Sequence, residues 1–400
     1  MDQPADPPVF AISQRLARVQ SPMIPVVGDL IRAHPGTISL GQGVVHYGPP
    51  PQALARMQAS LAEPDYHKYK AVGGIPQLIS LIADKLQRDN GITIDAGNRV
   101  IVTAGGNMAY MNAVLAITDP GEPGDEVIIQ RPYYFNHEMA ITIAGAVPVS
   151  VDTTSDGQPI VSAIEAAISP RTRAITTISP NNPTGAVYNA HTLRQINALC
   201  QSRGLFHIHD EAYEYFTYSA APRFSPGSIP GASNYTISLY SLSKSYGMAS
   251  WRIGYMVIPA LLEAAVRKIQ DTILICPPLI SQYAAVGAME AGQAWCGERI
   301  ASIADVRELV MEELARVGSF CEVPRADGAF YVLLTLDTKQ KDMTIVERLV
   351  REHGIAVIPG QTFGIDPACR LRVAFGALER ESVAEGIGRL VRGLRAIVTE

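Results

Sequence analysis

Short apolar runs alternate with amphipathic stretches along most of this chain. The run at residues 99–103 (RVIVT) is rich in β-branched residues, and a helical pattern over residues 107–117 follows it directly. Because short apolar strands separated by helices are typical of parallel sheets covered on both faces, the pattern predicts an α/β fold: a three-layer αβα large domain with a mostly parallel sheet. The other predicted strands are residues 126–130, 147–151, 174–178, 206–209, 235–239 and 254–258.

The pattern changes at both ends of the chain. Residues 1–50 are interrupted by Pro and Gly, so we interpret them as an N-terminal arm that forms part of the small domain. Residues 51–295 form the predicted large domain. Residues 296–400 form the predicted smaller α+β domain, because helical stretches (301–317, 345–353 and the chain end) alternate there with strands at 329–336 and 355–358.

Charge, cysteine spacing and hydropathy argue against several classes of function. The net charge is −5 without long runs of one sign, whereas nucleic-acid binding needs a basic patch. The five scattered cysteines never occur in a CxxC spacing, which favours free thiols in a reducing compartment. The N-terminus (MDQPADPPVF) lacks the pattern of a secretory signal, and no apolar stretch is long enough to cross a bilayer. We therefore expect a cytoplasmic protein without nucleic-acid or membrane partners.

The most conspicuous polar residues come directly after predicted strands. In open α/β sheets, ligands bind at the carboxyl ends of the strands, so these residues are expected to meet at one site. They are Gly105, Gly106 and Asn107 after the first large-domain strand, the Asn182-Pro183-Thr184-Gly185 turn, Asp210 with Tyr213, and the Ser241-Leu242-Ser243-Lys244 segment.

Lys244 carries the strongest chemical signal. A lysine beside hydroxyl groups is often an ordinary surface residue, but this one follows a predicted buried strand, where an amine is costly unless it is paired or used chemically. Desolvation lowers an amine's pKa, which Schiff-base chemistry requires. Ser241, Ser243 and Arg252 would suit a phosphate, since they supply hydroxyl donors and a guanidinium.

The other signals are weaker when each is taken alone. Asp210 has an ordinary explanation as a helix N-cap. A metal site is disfavoured because strand alternation puts His207 and His209 on the face opposite Asp210. The Gly105–Gly106 turn is a possible anion site at a helix N-terminus, and the Asn182 turn is equally explained as a plain β-turn. The order of all four signals, each after a strand, is what indicates one active site.

In this order of motifs the chain resembles the class I/II aminotransferases, the fold type I family of pyridoxal 5'-phosphate (PLP) enzymes. The resemblance runs from SLGQG near residue 39 to LRVAF near residue 375, and SLSKSYGMASWRIGY is its most specific part. It implies PLP as the cofactor, no metal, and a ping-pong transfer of an amino group from an L-amino acid to a 2-oxo acid. It also implies a homodimer with shared active sites.

The resemblance assigns a role to each matching position. Lys244 would form the Schiff base and move the substrate's α-proton, and Asp210 would pair with the pyridine nitrogen. Asn182 and Tyr213 would form hydrogen bonds with the phenolic oxygen of the cofactor. The implied contacts to the ring and the phosphate are Tyr134 (stacking), Gly105, Gly106, Asn107, Ser241, Ser243 and Arg252, with Tyr69 reaching the phosphate of the neighbouring subunit. The implied substrate contacts are Gly43, Asn182 and Arg372, and Arg370 is a competitor for the carboxylate role of Arg372.

Other functions remain open at this stage. A β- or γ-lyase, a cyclising synthase or an oxidase would use the same cofactor residues. A regulatory protein with a PLP fold is a remote alternative, because no basic helix-turn-helix segment precedes Gln52. The amino donor stays undetermined, since the segment Val44–Tyr47 departs from the usual family pattern at the side-chain pocket.

Overall fold

The computed structural model describes residues 10–218 and 223–398. The first nine residues, which carry most of the segment used to predict that there is no secretory signal, lie outside this range. The strands are β1 (Ile38–Ser39), β2 (Asn98–Thr103), β3 (Glu126–Arg131), β4 (Val147–Asp152), β5 (Thr172–Ile178), β6 (Phe206–Asp210), β7 (Thr236–Ser241), β8 (Gly254–Pro259), β9 (Cys321–Glu322), β10 (Tyr331–Leu336), β11 (Ile355–Ala356), β12 (Ile358–Pro359) and β13 (Cys369–Ala374).

The helices mostly follow the predicted amphipathic stretches. They are α1 (Gln14–Ala17), α2 (Met23–Ala33), α3 (Pro51–Ser60), α4 (Pro76–Lys85), α5 (Gly106–Ile117), α6 (Phe135–Ala144), α7 (Val161–Ala166), α8 (Ala190–Arg203), α9 (Glu263–Leu274), α10 (Leu279–Leu314), α11 (Asp342–His353) and α12 (Arg380–Val398). None of the helices in the described ranges is long and apolar enough to cross a membrane.

The large sheet has seven strands in the order β2-β8-β7-β6-β5-β3-β4. Strand β8 is antiparallel to both of its neighbours, and the remaining pairs are parallel. Apolar residues of α5, α6 and α9 pack on one face, and those of α7 and α8 pack on the other. The predicted three-layer fold with a mostly parallel sheet is therefore confirmed.

The C-terminal part forms a smaller antiparallel sheet in the order β12-β13-β10-β9, packed against helices. The predicted strand at residues 355–358 is two strands, because the chain first pairs with β1 and then crosses to pair with β13. The pairing of β1 with β11 attaches the N-terminal segment to this part of the molecule.

Two helices differ from the periodicity of the sequence. The apolar residues of 76–89 repeat at helical spacing and predict one helix, but α4 ends at Lys85, and a wider π-helical turn over Leu86–Asn90 replaces the last predicted turn. Helix α10 begins at Leu279, well before the predicted stretch at 301–317, and Gly292 interrupts it with a φ of 68°. Both irregularities depend on backbone geometry that the spacing of apolar residues does not reveal.

Candidate active site

The loops after β2, β5, β6 and β7 surround one cavity of about 380 Å³. These four strands point the same way, so their carboxyl ends lie at the same edge of the sheet. The predicted residues among its walls are Gly106, Asn107, Tyr134, Asn182, Asp210, Tyr213, Ser241, Ser243, Lys244 and Arg252, and Ile178, Ala212 and Ala249 complete the lining.

The side chain of Lys244 is enclosed within this cavity. Its Nζ donates to the carbonyl oxygen of Gly43 and lies 5.9 Å from the centre of the Tyr213 ring. Burial lowers the pKa of the Lys244 amine to about 8, and the nearby guanidinium groups of Arg372 and Arg252 act in the same direction. The amine is thus much closer to its neutral, reactive form than an exposed lysine.

Asp210, the last residue of β6, is held by a histidine that the sequence interpretation missed. His137 Nε2 lies 3.0 Å from Asp210 Oδ2, and the backbone N–H of Ala212 donates to Asp210 Oδ1 at 2.9 Å. The His137 ring stacks on Tyr110 with 3.7 Å between centres, so the carboxylate orientation is fixed by packed side chains. The sequence feature that could have identified His137 is its place in the first turn of α6, just after Tyr134.

Gly105 and Arg252 bring two separate loops together. Gly105 has a φ of 88°, and a Cβ there would lie only 2.4 Å from Arg252 Nη2. The missing side chain allows this guanidinium to approach the N-terminus of α5, which begins at Gly106. Ser241 Oγ accepts a bond of 3.3 Å from the backbone N–H of Ser243. Helix N-terminal N–H groups, hydroxyls and a guanidinium together suit a phosphate.

A chain of polar contacts connects the small sheet to the cavity. Arg372 is buried; its Nη1 donates to Asn182 Oδ1 at 3.0 Å, and its Nη2 donates to the Gly41 carbonyl at 2.6 Å. Asn182 Nδ2 lies 3.5 Å from Tyr213 Oη, which is 2.8 Å from Tyr331 Oη. Arg372 Nε has no hydrogen-bond partner within the described ranges, so one donor of the fork stays available.

Besides Arg372, four predicted or competing residues lie outside the cavity wall. Gly43 contributes its carbonyl to Lys244, and a Cβ there would meet Tyr331 Oη at 2.5 Å. Tyr69 is 77% exposed on the surface of the single chain. Gly105 lies behind the wall, against Arg252. Arg370, the competitor of Arg372, borders a separate cleft.

His207 and His209 occupy the sheet interior as neutral groups. Both bond to Thr177 Oγ1, with His207 Nε2 at 2.8 Å and His209 Nδ1 at 2.6 Å. Burial lowers the pKa of His207 to about 3. Within residues 10–218 and 223–398, no group of three or more metal-ligating side chains is arranged around a common point.

Comparison with known proteins decides the family. The family described as aminotransferase class I and II matches residues 35–390. This chain belongs to that family. As a class I and II aminotransferase it is a PLP-dependent enzyme that moves the amino group of an amino acid to a 2-oxo acid.

Relatives of this aminotransferase come from plants and bacteria. The aromatic aminotransferase ISS1 of Arabidopsis thaliana is 32% identical over 396 residues, which is 97% of each chain. The aspartate/prephenate aminotransferase of Thermus thermophilus is 32% identical over 372 residues, 92% of this chain and 93% of that protein. The solved aspartate aminotransferase from Thermus thermophilus with maleate has a TM-score of 0.88 at 30% identity and covers 96% of this chain and 100% of that chain.

The donor set of this aminotransferase fits PLP. The cavity wall combines a buried amine, a fixed carboxylate and hydroxyl groups with a guanidinium, which match the aldehyde, the ring nitrogen and the phosphate of the cofactor. The recess that Gly105 leaves for Arg252 is independent support, because any side chain there would displace this guanidinium.

Proposed function

We propose that Lys244 is the residue that forms the Schiff base with PLP and carries the α-proton of the substrate. The observation that supports this most directly is that Lys244 is the lysine of the cavity wall, and burial brings the pKa of its amine to about 8. When bound, PLP supplies a conjugated ring that withdraws electrons from the substrate's α-carbon. A base whose pKa is near the working pH transfers protons efficiently.

Contacts of the surrounding residues support the other proposed roles. Asp210, fixed by His137, would hold a proton on the ring nitrogen, while Asn182 and Tyr213 would donate to the phenolic oxygen. Tyr134 would stack on the ring.

The phosphate is assigned to the remaining polar wall. The N-terminus of α5 at Gly106 and Asn107 supplies backbone donors, and Ser241, Ser243 and Arg252 supply side-chain donors.

We assign the substrate's α-carboxylate to Arg372. A guanidinium binds a carboxylate through two parallel bonds, and Arg372 already presents Nη1 to Asn182, next to the cavity. The free Nε gives the arginine a further donor for the incoming group.

The preferred donors are proposed to be amino acids with neutral or aromatic side chains. The cations of the described cavity wall are Lys244 and Arg252, with Arg372 behind them, and all three have roles in the scheme above. No cation of this wall is then left for a second carboxylate. Of the relatives described above, the one from Arabidopsis thaliana bears an aromatic aminotransferase name, whereas the two from Thermus thermophilus bear aspartate names.

The working unit is proposed to be a homodimer in the cytoplasm. Large apolar side chains are exposed on the single chain, among them Leu61 at 51% and Ile273 at 53%, and Tyr69 is also exposed. A second copy of this chain would cover exposed apolar side chains and bring Tyr69 to the partner's site. The five cysteines are unpaired, which supports a reducing compartment.

The test is the half-reaction of the PLP-loaded enzyme with a panel of amino acids, followed through the cofactor's absorbance. Lys244→Ala should abolish the half-reaction and borohydride trapping, whereas Lys268→Ala, at an exposed position of α9, should leave both unchanged. If borohydride traps the cofactor on Lys244 but aspartate reacts faster than phenylalanine, only the proposed donor class is rejected. Normal turnover of Lys244→Ala would reject the mechanism.

A further inference from the structure

A second cluster of polar side chains is buried behind the cavity without lining it. We call it the carboxylate cluster; it consists of Lys85, Asn90, Glu211, Glu214, Ser225 and Tyr240. Lys85 and Glu211 are 2% and 4% exposed, so the cluster contains charges that are almost wholly removed from water. Buried charges are costly unless they are paired and hydrogen-bonded, which makes the contacts of this cluster informative.

Glu211 is the centre of the cluster. Its Oε1 accepts a bond of 2.8 Å from Tyr240 Oη, and its Oε2 accepts bonds of 2.6 Å from Ser225 Oγ and 3.2 Å from Asn90 Nδ2. Lys85 Nζ donates to Glu214 and, at 2.8 Å, to Asn90 Oδ1. The π-helical turn over Leu86–Asn90 brings Asn90 into this position, and such turns are frequent at functional sites.

The cluster connects the two strand ends that carry the proposed catalytic residues. Glu211 directly follows Asp210 at the end of β6, and Tyr240 directly precedes Ser241 at the end of β7. The bond between Glu211 and Tyr240 is therefore a side-chain cross-link between the Asp210 loop and the loop that leads to Lys244. It adds to the backbone bond from Glu211 N–H to the Leu239 carbonyl at 2.8 Å.

The charges around Glu211 do not balance. Lys85 faces two carboxylates, Glu211 and Glu214, so the inner cluster has one negative charge too many unless it holds a proton. Outside this shell, Tyr215 Oη donates to Asp89 at 2.5 Å, and Arg88 pairs with Asp89. From β8, the Tyr255 ring stacks on Tyr240, and Arg223 lies over Tyr215.

The position of the extra proton follows from burial. The pKa of Glu211 is raised to about 7, first by burial and then by the charge of Glu214, although the bonds from Ser225 and Tyr240 and the charge of Lys85 act in the opposite direction. The Glu211 carboxyl thus changes its charge in the range where enzymes of this kind work.

We propose that Glu211 is a positioning residue that braces the strand ends carrying Asp210 and Lys244, and that its charge adjusts the proton affinity of the active site. This proposal rests on the roles assigned above to Asp210 and Lys244. When ionised, Glu211 adds a negative charge behind the cavity, which favours protonated groups in it. When protonated, Glu211 keeps its bonds, since the hydroxyls of Tyr240 and Ser225 can act as donors or acceptors.

Two variants of the PLP-loaded protein test this proposal. Glu211→Gln removes the charge, and Tyr240→Phe removes the cross-link but keeps the aromatic ring and the Glu211 carboxyl group. The first readout is the pH midpoint of the bound cofactor's absorption spectrum, which does not depend on turnover. The second is the half-reaction rate with a good amino donor. An exposed substitution, Glu165→Gln in α7, serves as the control for charge removal.

Glu211→Gln is expected to lower the spectral midpoint by up to about one pH unit, because one buried negative charge near the site is removed. Tyr240→Phe should shift the midpoint less than Glu211→Gln does and slow the half-reaction by at least about threefold. Wild-type midpoints and rates in both variants would overturn the proposal, and so would a loss of thermal stability without any change in midpoint or rate. If the Glu211→Gln variant does not fold, a wild-type half-reaction rate in the Tyr240→Phe variant is the outcome that rejects the proposal. An inactive wild-type enzyme with a measurable midpoint would reject the proposed function instead.

Discussion

The guanidinium of Arg372 is 1% exposed, and both Nη atoms are engaged before any substrate arrives, one by Asn182 and one by the Gly41 carbonyl. The arginine is thus held in one orientation, between the rings of Tyr331 and Phe363 at 4.6 and 5.2 Å. A clamp that is oriented in advance loses little entropy when it binds a carboxylate.

Arg372→Lys is expected to raise KM for all amino donors by roughly 10- to 100-fold, because lysine keeps the charge but cannot form the planar fork. Steady-state kinetics with two donors of different side chains would measure this. Arg370→Lys, in the separate cleft, is the matched control. An effect confined to one donor would show that Arg372 reads the side chain rather than the shared carboxylate.

Glu211 gives a prediction for stability. Its folded pKa of about 7 lies above the ordinary carboxyl value of 4.5, so its protonated form stabilises the fold. This contribution is complete below pH 4.5 and is lost as the pH rises through 7, with a total on the order of 3 kcal/mol. Relative to Glu211→Gln, the wild type should therefore lose unfolding free energy between pH 5 and pH 8 in denaturant titrations. Parallel curves for the two proteins would contradict the assignment.

For single residues, the sequence predicted the site correctly where the residue type and its place after a strand have one main explanation. Lys244 after a buried strand and the glycine-rich turn before α5 were predicted, and ten of the predicted residues line the cavity. His137 and Tyr331 were missed because each enters the site from an element whose apolar pattern explains its position equally well. Their roles depend on contacts across the chain that spacing does not encode.

Among the elements, the join between β2 and α5 does most to shape the cavity. Gly105 adopts a conformation with a φ of 88° that L residues rarely adopt, and it leaves room for Arg252 of another loop. The helix N-terminus and the guanidinium can share one anion only because no side chain separates them.

Gly105→Ala is expected to weaken PLP binding at least tenfold, since the new methyl group would displace Arg252. Gly204→Ala is the matched control: it has a φ of 66°, but a Cβ there would meet no atom within 4 Å. Both variants should lose about 1 kcal/mol of stability from backbone strain. Titration with PLP would measure the cofactor affinity of each variant. Equal PLP affinity in Gly105→Ala and Gly204→Ala would rule out a role for the recess at Gly105.

The apolar pattern predicted all seven strands of the large sheet, but their order, β2-β8-β7-β6-β5-β3-β4, was not readable from it. Periodicity reports which residues are buried, not which strands are neighbours. The same reason explains why residues 355–358 were interpreted as one strand, although the two halves pair with different partners. The predicted domain boundaries at residues 50 and 295 remain predictions.

For the whole molecule, the exposed position of Tyr69 is the feature that a single chain leaves unexplained. If Tyr69 serves the neighbouring subunit, a Lys244→Ala chain and a Tyr69→Ala chain should complement each other. In the hybrid dimer, one site would combine an intact Lys244 with an intact Tyr69 from the other subunit. Mixing the two variants after dissociation should therefore restore activity above that of either alone, measured as turnover per dimer. Activity no higher than the sum of the parents would place Tyr69 in its own subunit's site.

The contact between Arg372 and Asn182 joins a strand of the small sheet to a turn of the large one. An amino acid that binds this arginine must compete for it with Asn182, which belongs to the large sheet's side of the contact. Substrate binding and the strength of the contact between the two sheets are then thermodynamically linked. Saturating donor should therefore speed limited proteolysis between the large and the small sheet, and a stronger contact between Arg372 and Asn182 should in turn lower the affinity for the donor.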